Sequence, residues 1–142
     1  LDVILLIAAA FGVGAAIETT GLAQSLADAF VDLFGPLGTV GIVLGVVLST
    51  TIMTEVITNN AAAAVIFPIA ISVATSSGLD PRMIAIAVAV TASSSFLTPL
   101  GYQTNTMVYG PGGYRFVDFL RAGIPVNIAV VTTIVALTTL QA

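Results

Sequence analysis

Two short polar runs interrupt stretches that are otherwise apolar enough to cross a membrane. The first is Thr58-Asn59-Asn60, between the apolar residues 38–57 and 61–74. The second is Tyr102-Gln103-Thr104-Asn105-Thr106, which follows the apolar run 83–100. Hydrocarbon supplies no hydrogen-bond partners, so non-helical backbone at membrane depth survives only where it is buried in protein or lines a polar cavity. Two such interruptions in one short chain point to a binding site built from broken helices near the bilayer midplane.

Composition fixes the class before any motif is read. The 142 residues are 58% hydrophobic and 7% charged, with a mean hydropathy of +1.14. A soluble domain carries about 25% charged residues. Seven acids and three arginines cannot cover the surface of a water-soluble fold, so an all-α integral membrane protein is expected. No lysine is present, which removes the polybasic segment that would grip nucleic acid or anionic lipid. Cysteine and histidine are also absent. Disulfides, Cys/His metal sites and Ser-His triads are therefore excluded within this chain. No cofactor and no enzymatic activity are expected. The sequence opens directly in an apolar segment without a basic n-region, so it reads as a piece of a larger polypeptide and not as a signal peptide.

The expected organisation is one transmembrane domain. Residues 1–20 read as a span, closed by Glu18-Thr19-Thr20-Gly21. Residues 22–34 place Leu22, Leu26, Phe30 and Leu33 at helical spacing, opposite Gln24, Ser25, Asp28 and Asp32. That segment is too short and too acidic to span and suits an interfacial amphipathic helix. Residues 39–76 are expected to form a re-entrant helical hairpin with Thr58-Asn59-Asn60 at its tip. A loop joining two full spans would reach water and usually carry charge, Gly or Pro; this one carries none, although two ordinary spans remain the alternative. Gly41 and Gly45 form a GxxxG pattern, which implies close helix packing.

Asp80 is placed to cap, and Pro81 to begin, a broken helix over residues 82–110. Pro99 and Gly101 mark its break. Residues 118–141 complete the chain as a last span. On three arginines, the positive-inside rule puts the loop at Arg115 and Arg121 in the cytoplasm and Pro81 outside.

The breaks carry complementary chemistry. Helical limbs starting near Asn60 and Asn105 point N-termini at them, whose free N–H groups favour an anion. Limbs ending near Ile57 and Leu100 offer free carbonyls, which with Thr and Asn oxygens suit a hard cation such as sodium. The sodium candidates are Thr58, Asn59, Ser94, Leu100, Gly101, Thr104 and Asn105. The anion candidates are Asn59, Asn60, Thr104, Asn105 and Thr106. Glu55 lies three residues before the tip; a carboxylate this deep is costly unless paired or protonated, so it is either functional or a structural support for the tip.

These residues resemble the second half of a transporter of the divalent anion:sodium symporter family, within the wider ion transporter superfamily. Thr54-Glu55-Val56-Ile57-Thr58-Asn59-Asn60-Ala61 is similar to the family's TE-x-x-SNT-A hairpin tip, with Thr58 for its Ser and Asn60 for its Thr. Residues 99–110 resemble its broken helix: Pro99 and Asn105 match, while Tyr102-Gln103-Thr104 stands in place of Thr-Pro-Pro. Arg121-Ala122-Gly123 and Asn127 resemble the opening of its last helix, and residues 22–34 its horizontal arm helix. The tip and broken helix together look most like bacterial permeases with cytosolic regulatory domains.

The resemblance implies one half of an inverted-repeat transporter. It would be a multi-pass, homodimeric protein of a bacterial inner membrane, working with an N-terminal half of the same polypeptide. It would couple sodium to uptake of a small divalent anion, a sulfate-like oxyanion or a dicarboxylate. A channel-type pore and a non-transporting membrane scaffold are the rival classes.

Overall fold

The computed structural model describes residues 5, 8, 9, 12, 15, 16 and 19–141. More than half of the expected span at residues 1–20 lies outside the described residues. Helix is the dominant element among the described residues, with three stretches long and apolar enough to cross a membrane: Gln24–Val56, Asn59–Ser77 and Phe116–Gln141. It is an integral membrane protein of the all-α class.

Helix α1 (Leu22–Phe34) runs through a 3-10 turn (Gly35–Leu37) into α2 (Gly38–Val56). The direction changes sharply at Gly38, whose φ of +67° is a conformation that a side chain would strain. Because of this reversal α1 lies back against α2 and α3. Ala27 is fully buried there and Phe30 and Val31 pack on the core, whereas Leu22, Leu26 and Leu33 remain exposed. Gln24 donates to Asp28 at 2.8 Å and to Ser76 at 3.1 Å, tying the polar side of α1 to the far end of α3.

Helices α2 and α3 (Asn59–Ser77) form the hairpin. The break between them is only Ile57-Thr58, both extended. Asn59 and Asn60, expected within the break, instead make the first turn of α3. The reason is capping: Thr58 Oγ1 accepts from the Ala61 N–H, which lets the helix restart at once. At its other end α3 closes on Gly78 at φ +70°, with Leu79 N–H reaching the Ala74 carbonyl at 2.9 Å. These are the marks of a Schellman stop. Asp80 then accepts from the Arg82 N–H at 2.9 Å and Pro81 opens α4 (Pro81–Ala92).

The second break differs from expectation in place and size. Helix α4 ends at Ala92, not near Leu100. Residues 93–102 are irregular, and Gln103 to Thr106 form the first turn of α5 (Gln103–Tyr109). Pro99 has no N–H to give and disfavours helix in the residue before it. The Ser93 and Ser94 hydroxyls also turn back to the Ala89 and Val90 carbonyls, at 3.0 and 2.8 Å. The final helix, α6 (Phe116–Gln141), begins two residues before the expected last span and is continuous through Pro125.

The core lies where α1, α2, α3, α4 and α6 converge. Val43, Val47, Val73, Ile84 and Val88 are its largest fully buried apolar residues, and Ala27, Ala70, Ala74 and Ala87 belong to the same cluster. Lipid is as apolar as these side chains, so they gain little by leaving it. Close contact of small residues supplies the cohesion instead. Gly45 shows how close: a Cβ built there would lie 2.6–2.8 Å from ring atoms of Phe30 and Phe34. The GxxxG face is thus filled by the aromatic rings of α1.

Candidate functional site

The hairpin tip and the irregular segment 93–102 meet. Three side chains from the C-terminal turn of α2 and the start of α3 fasten them together. Glu55, 7% exposed, directs its carboxylate into segment 93–102. Oε1 accepts from the Phe96 and Leu97 N–H groups at 2.8 and 2.9 Å, and Oε2 from the Thr98 N–H at 2.8 Å. The Thr98 hydroxyl in turn donates to the Glu55 carbonyl at 2.9 Å. Three consecutive backbone donors, which a helix would have used internally, are satisfied by one acidic side chain. Glu55 does not line the cleft described below; it orders the segment that does.

Thr54, fully buried, is the second fastener. Thr50 and Thr51 return their protons to their own helix, at Val46 and Val47. The Thr54 hydroxyl leaves its helix and donates to the Ala92 carbonyl at the end of α4, at 2.6 Å. Having spent its one proton there, it can only accept at its contact with the Asn59 amide, 2.9 Å away. The Asn59 atom at that contact also lies 2.8 Å from the Gly101 carbonyl and 3.2 Å from the Ala92 carbonyl. Three acceptors require a donor, so Nδ2 occupies this position and Oδ1 is turned away. Asn59 is therefore the third fastener, bridging tip and loop.

Gly101 must be glycine for this approach. A Cβ there would strike the Ser95 hydroxyl and the Thr54 carbonyl oxygen. From the opposite side, Gly123 of α6 admits the Phe96 backbone, with a Cβ position 2.6 Å from its carbonyl carbon. The start of α5 is stapled similarly. Asn105 Nδ2 donates to the Ser95 and Thr98 carbonyls, each at 3.2 Å, and the Thr106 hydroxyl donates to the Pro99 carbonyl at 2.6 Å.

Between tip and loop lies a cleft of about 740 Å³. Thr58, Asn59 and Asn60 line it from the tip, Ser93, Leu100 and Gly101 from the loop, and Tyr102, Gln103, Thr104, Thr106 and Met107 from α5 and its approach. No lining side chain is charged. Of the residues proposed from sequence, the structure brings all but three to this cleft. Ser94 is bonded back to its own helix, Asn105 points its amide into the loop, and Glu55 lies behind the loop. The sequence reading overlooked Thr54, Ser93, Ser95, Tyr102, Gln103 and Met107. Tyr102 and Gln103 were visible as part of the polar run; nothing local distinguishes Ser93 or Ser95 from Ser94. Among the described residues no group of His, Cys, Asp and Glu could hold a metal ion, so any cation here would meet neutral oxygens.

A cleft between a polar hairpin tip and a broken helix, with no charged side chain in its lining, suits a membrane transport protein. The comparisons agree. Residues 1–141 match the family described as citrate transporter, and the chain belongs to that family. It is 42% identical over 127 residues to an uncharacterized transporter of Synechocystis, covering 89% of this chain and 21% of the relative. It is 39% identical over 128 residues to sodium/sulfate cotransporter 1 of Chlamydomonas reinhardtii, covering 89% of this chain and 14% of that protein. An uncharacterized transporter of Escherichia coli is 41% identical over 81 residues, covering 57% of this chain and 13% of the relative. The chain thus spans about a fifth or less of these relatives.

Proposed function

We propose that this chain is the C-terminal repeat of a sodium-coupled symporter that carries a small divalent anion, sulfate first among candidates, across a bacterial inner membrane. The observation that carries the reading is the Asn59 bridge. One side chain at the hairpin tip holds two backbone carbonyls, that of Gly101, which lines an uncharged cleft, and that of Ala92 behind it. Relatives named sodium/sulfate cotransporters support the choice of ions. The hairpin is taken as re-entrant, with its tip at mid-membrane. The missing partners are an N-terminal half of inverted topology and a second copy of the protein.

The donor set fits a small hard cation. The Gly101 and Ala92 carbonyls, the Thr54 hydroxyl and Asn59 offer neutral oxygens, as sodium prefers. In the hydrogen-bonded arrangement Asn59 Nδ2 occupies these carbonyls. A half-turn of the amide presents Oδ1 to the same place, so one side chain serves the carbonyls with the ion bound and without it. Neither state leaves them unpaired. For the anion, the N–H groups of Asn59 and Asn60 precede the first internal bond of α3, which Ala62 makes to Thr58 at 2.9 Å. With the Asn60 amide and the Thr104 hydroxyl they offer donors without a fixed positive charge. The anion's charge is then balanced by the co-transported cation, which couples the two binding events by linkage.

The test is uptake of labelled sulfate by the full-length transporter in proteoliposomes, driven by a sodium gradient, with a C4-dicarboxylate and citrate as competitors. Saturable, sodium-dependent uptake is expected. Asn59→Ala should retain a folded protein but lose most of the stabilisation that sodium confers, RT ln(1 + [L]/Kd) for a ligand bound only by the folded form. Non-saturating flux independent of sodium would make the protein a pore, and no flux of any of the three anions would remove the reading.

A further inference from the structure

Segment 93–102 contains three successive serines, and the fold treats them differently. Ser93 and Ser94 give their hydroxyl protons to carbonyls of α4. Ser95 is 2% exposed, and its Oγ has no hydrogen-bond partner. A buried hydroxyl without a partner is costly in a folded protein and calls for an explanation. Its surroundings are specific. The position a Cβ would take on Gly101 is occupied jointly by Ser95 Oγ and the Thr54 carbonyl oxygen. Both oxygens therefore press against Gly101, whose own carbonyl is held by Asn59. The Thr54 carbonyl is among the last of α2, where the chain turns extended at Ile57 before an amide four residues on can close on it. The backbone of Ser95 is fixed in place by Asn105, which donates to its carbonyl.

We propose that Ser95 is a ligand of the coupling cation, its hydroxyl joining the Thr54 and Gly101 carbonyls and the turned Asn59 amide in one oxygen set. This rests on the symport reading above and adds to its Gly101 carbonyl and Asn59 amide two oxygens that press on Gly101, the Ser95 hydroxyl from the loop and the Thr54 carbonyl from the end of α2. A hydroxyl with two lone pairs and nothing else to bond is suited to a small cation. The unpaired state of Ser95 is then the cost of keeping a ligand ready.

The assignment has a signature that a merely structural serine lacks. In the full-length transporter, Ser95→Ala removes an unpartnered buried hydroxyl. Thermal stability in choline chloride should therefore be equal to or above wild type. The sodium concentration giving half-maximal stabilisation should rise at least tenfold. Ser94→Ala, in the same medium, should leave that concentration within twofold of wild type. Ser95→Cys keeps the volume while offering a hard cation a poor ligand, and should respond to sodium as Ser95→Ala does, which secures the test if the Ala variant is not recovered. A wild-type sodium midpoint in both Ser95 variants would overturn the assignment while leaving the symport reading standing. Lower stability of both in choline with an unchanged sodium midpoint would make Ser95 structural and overturn it equally. Absence of any sodium stabilisation in the wild type would overturn both.

Discussion

Replacing Glu55 by Gln separates a structural acid from an ion-carrying one. The carboxylate accepts three backbone N–H groups at 2.8, 2.9 and 2.8 Å. In Glu55→Gln the amide oxygen can keep the Phe96 and Leu97 donors, while the new NH2 faces the Thr98 N–H, donor against donor. A hydrogen bond to a charged acceptor contributes about 1.5–3 kcal/mol and a neutral one about 1 kcal/mol. Losing one bond and weakening two gives a cost of about 3–5 kcal/mol, before the loop relaxes. Glu55→Ala orphans all three donors and should cost more. The assay is thermal unfolding of the full-length transporter in detergent, followed by fluorescence-detected gel filtration. Both variants should unfold at lower temperature, Ala below Gln, with uptake falling in step with folded protein. If Glu55→Gln keeps wild-type stability but loses transport, the carboxylate acts on an ion or proton and the fastening argument is wrong.

Two further outcomes follow from packing and topology. Gly45→Leu must displace the Phe30 and Phe34 rings from α2, an overpacking cost of about 1–3 kcal/mol, read as lower folded yield and thermal stability; unchanged values would mean that α1 does not lie on this face in the whole protein. Cysteines at Gly35 and Gly78, placed just before α2 and just after α3, should be labelled by an impermeant maleimide from the same side of the membrane, whereas labelling from opposite sides would make the hairpin two full spans.

The sequence was most legible where a feature is local. The hydropathy of residues 38–57 and 61–74, the heptad-like spacing of Leu22, Leu26 and Phe30, and the Asp80-Pro81 start of α4 depend on neighbours within a turn or two. The second break was misplaced because Phe96, Leu97 and Leu100 are apolar, and apolar composition does not separate a membrane helix from a loop buried in protein. What allows the loop is Glu55, 41 to 43 residues earlier, and no periodicity joins those positions. The same distance hides the difference between Ser94 and Ser95. Each follows the same short helix in a Ser-Ser-Ser run, and only the approach of Gly101 and the end of α2 sets one apart.

The fasteners also say which parts can move. Thr54, Glu55 and Asn59 belong to the hairpin; Ala92, Gly101 and the donors of Phe96, Leu97 and Thr98 belong to the loop. Separating tip from loop would break charge-assisted bonds at Glu55 and leave buried donors and carbonyls unpaired at once, in surroundings with little water to replace them. Gly123 adds α6 to the same assembly by admitting the Phe96 backbone. Opening the cleft by moving the hairpin away from the loop would therefore break all of these ties together. The exposed face of α5, with Met107 at 73%, carries no comparable ties to the core helices, so its side of the cleft is the one free to move relative to the hairpin. If the symport reading proposed above holds, the hairpin, the loop and the start of α6 travel as one body, because the ties at Thr54, Glu55, Asn59 and Gly123 hold them in one register.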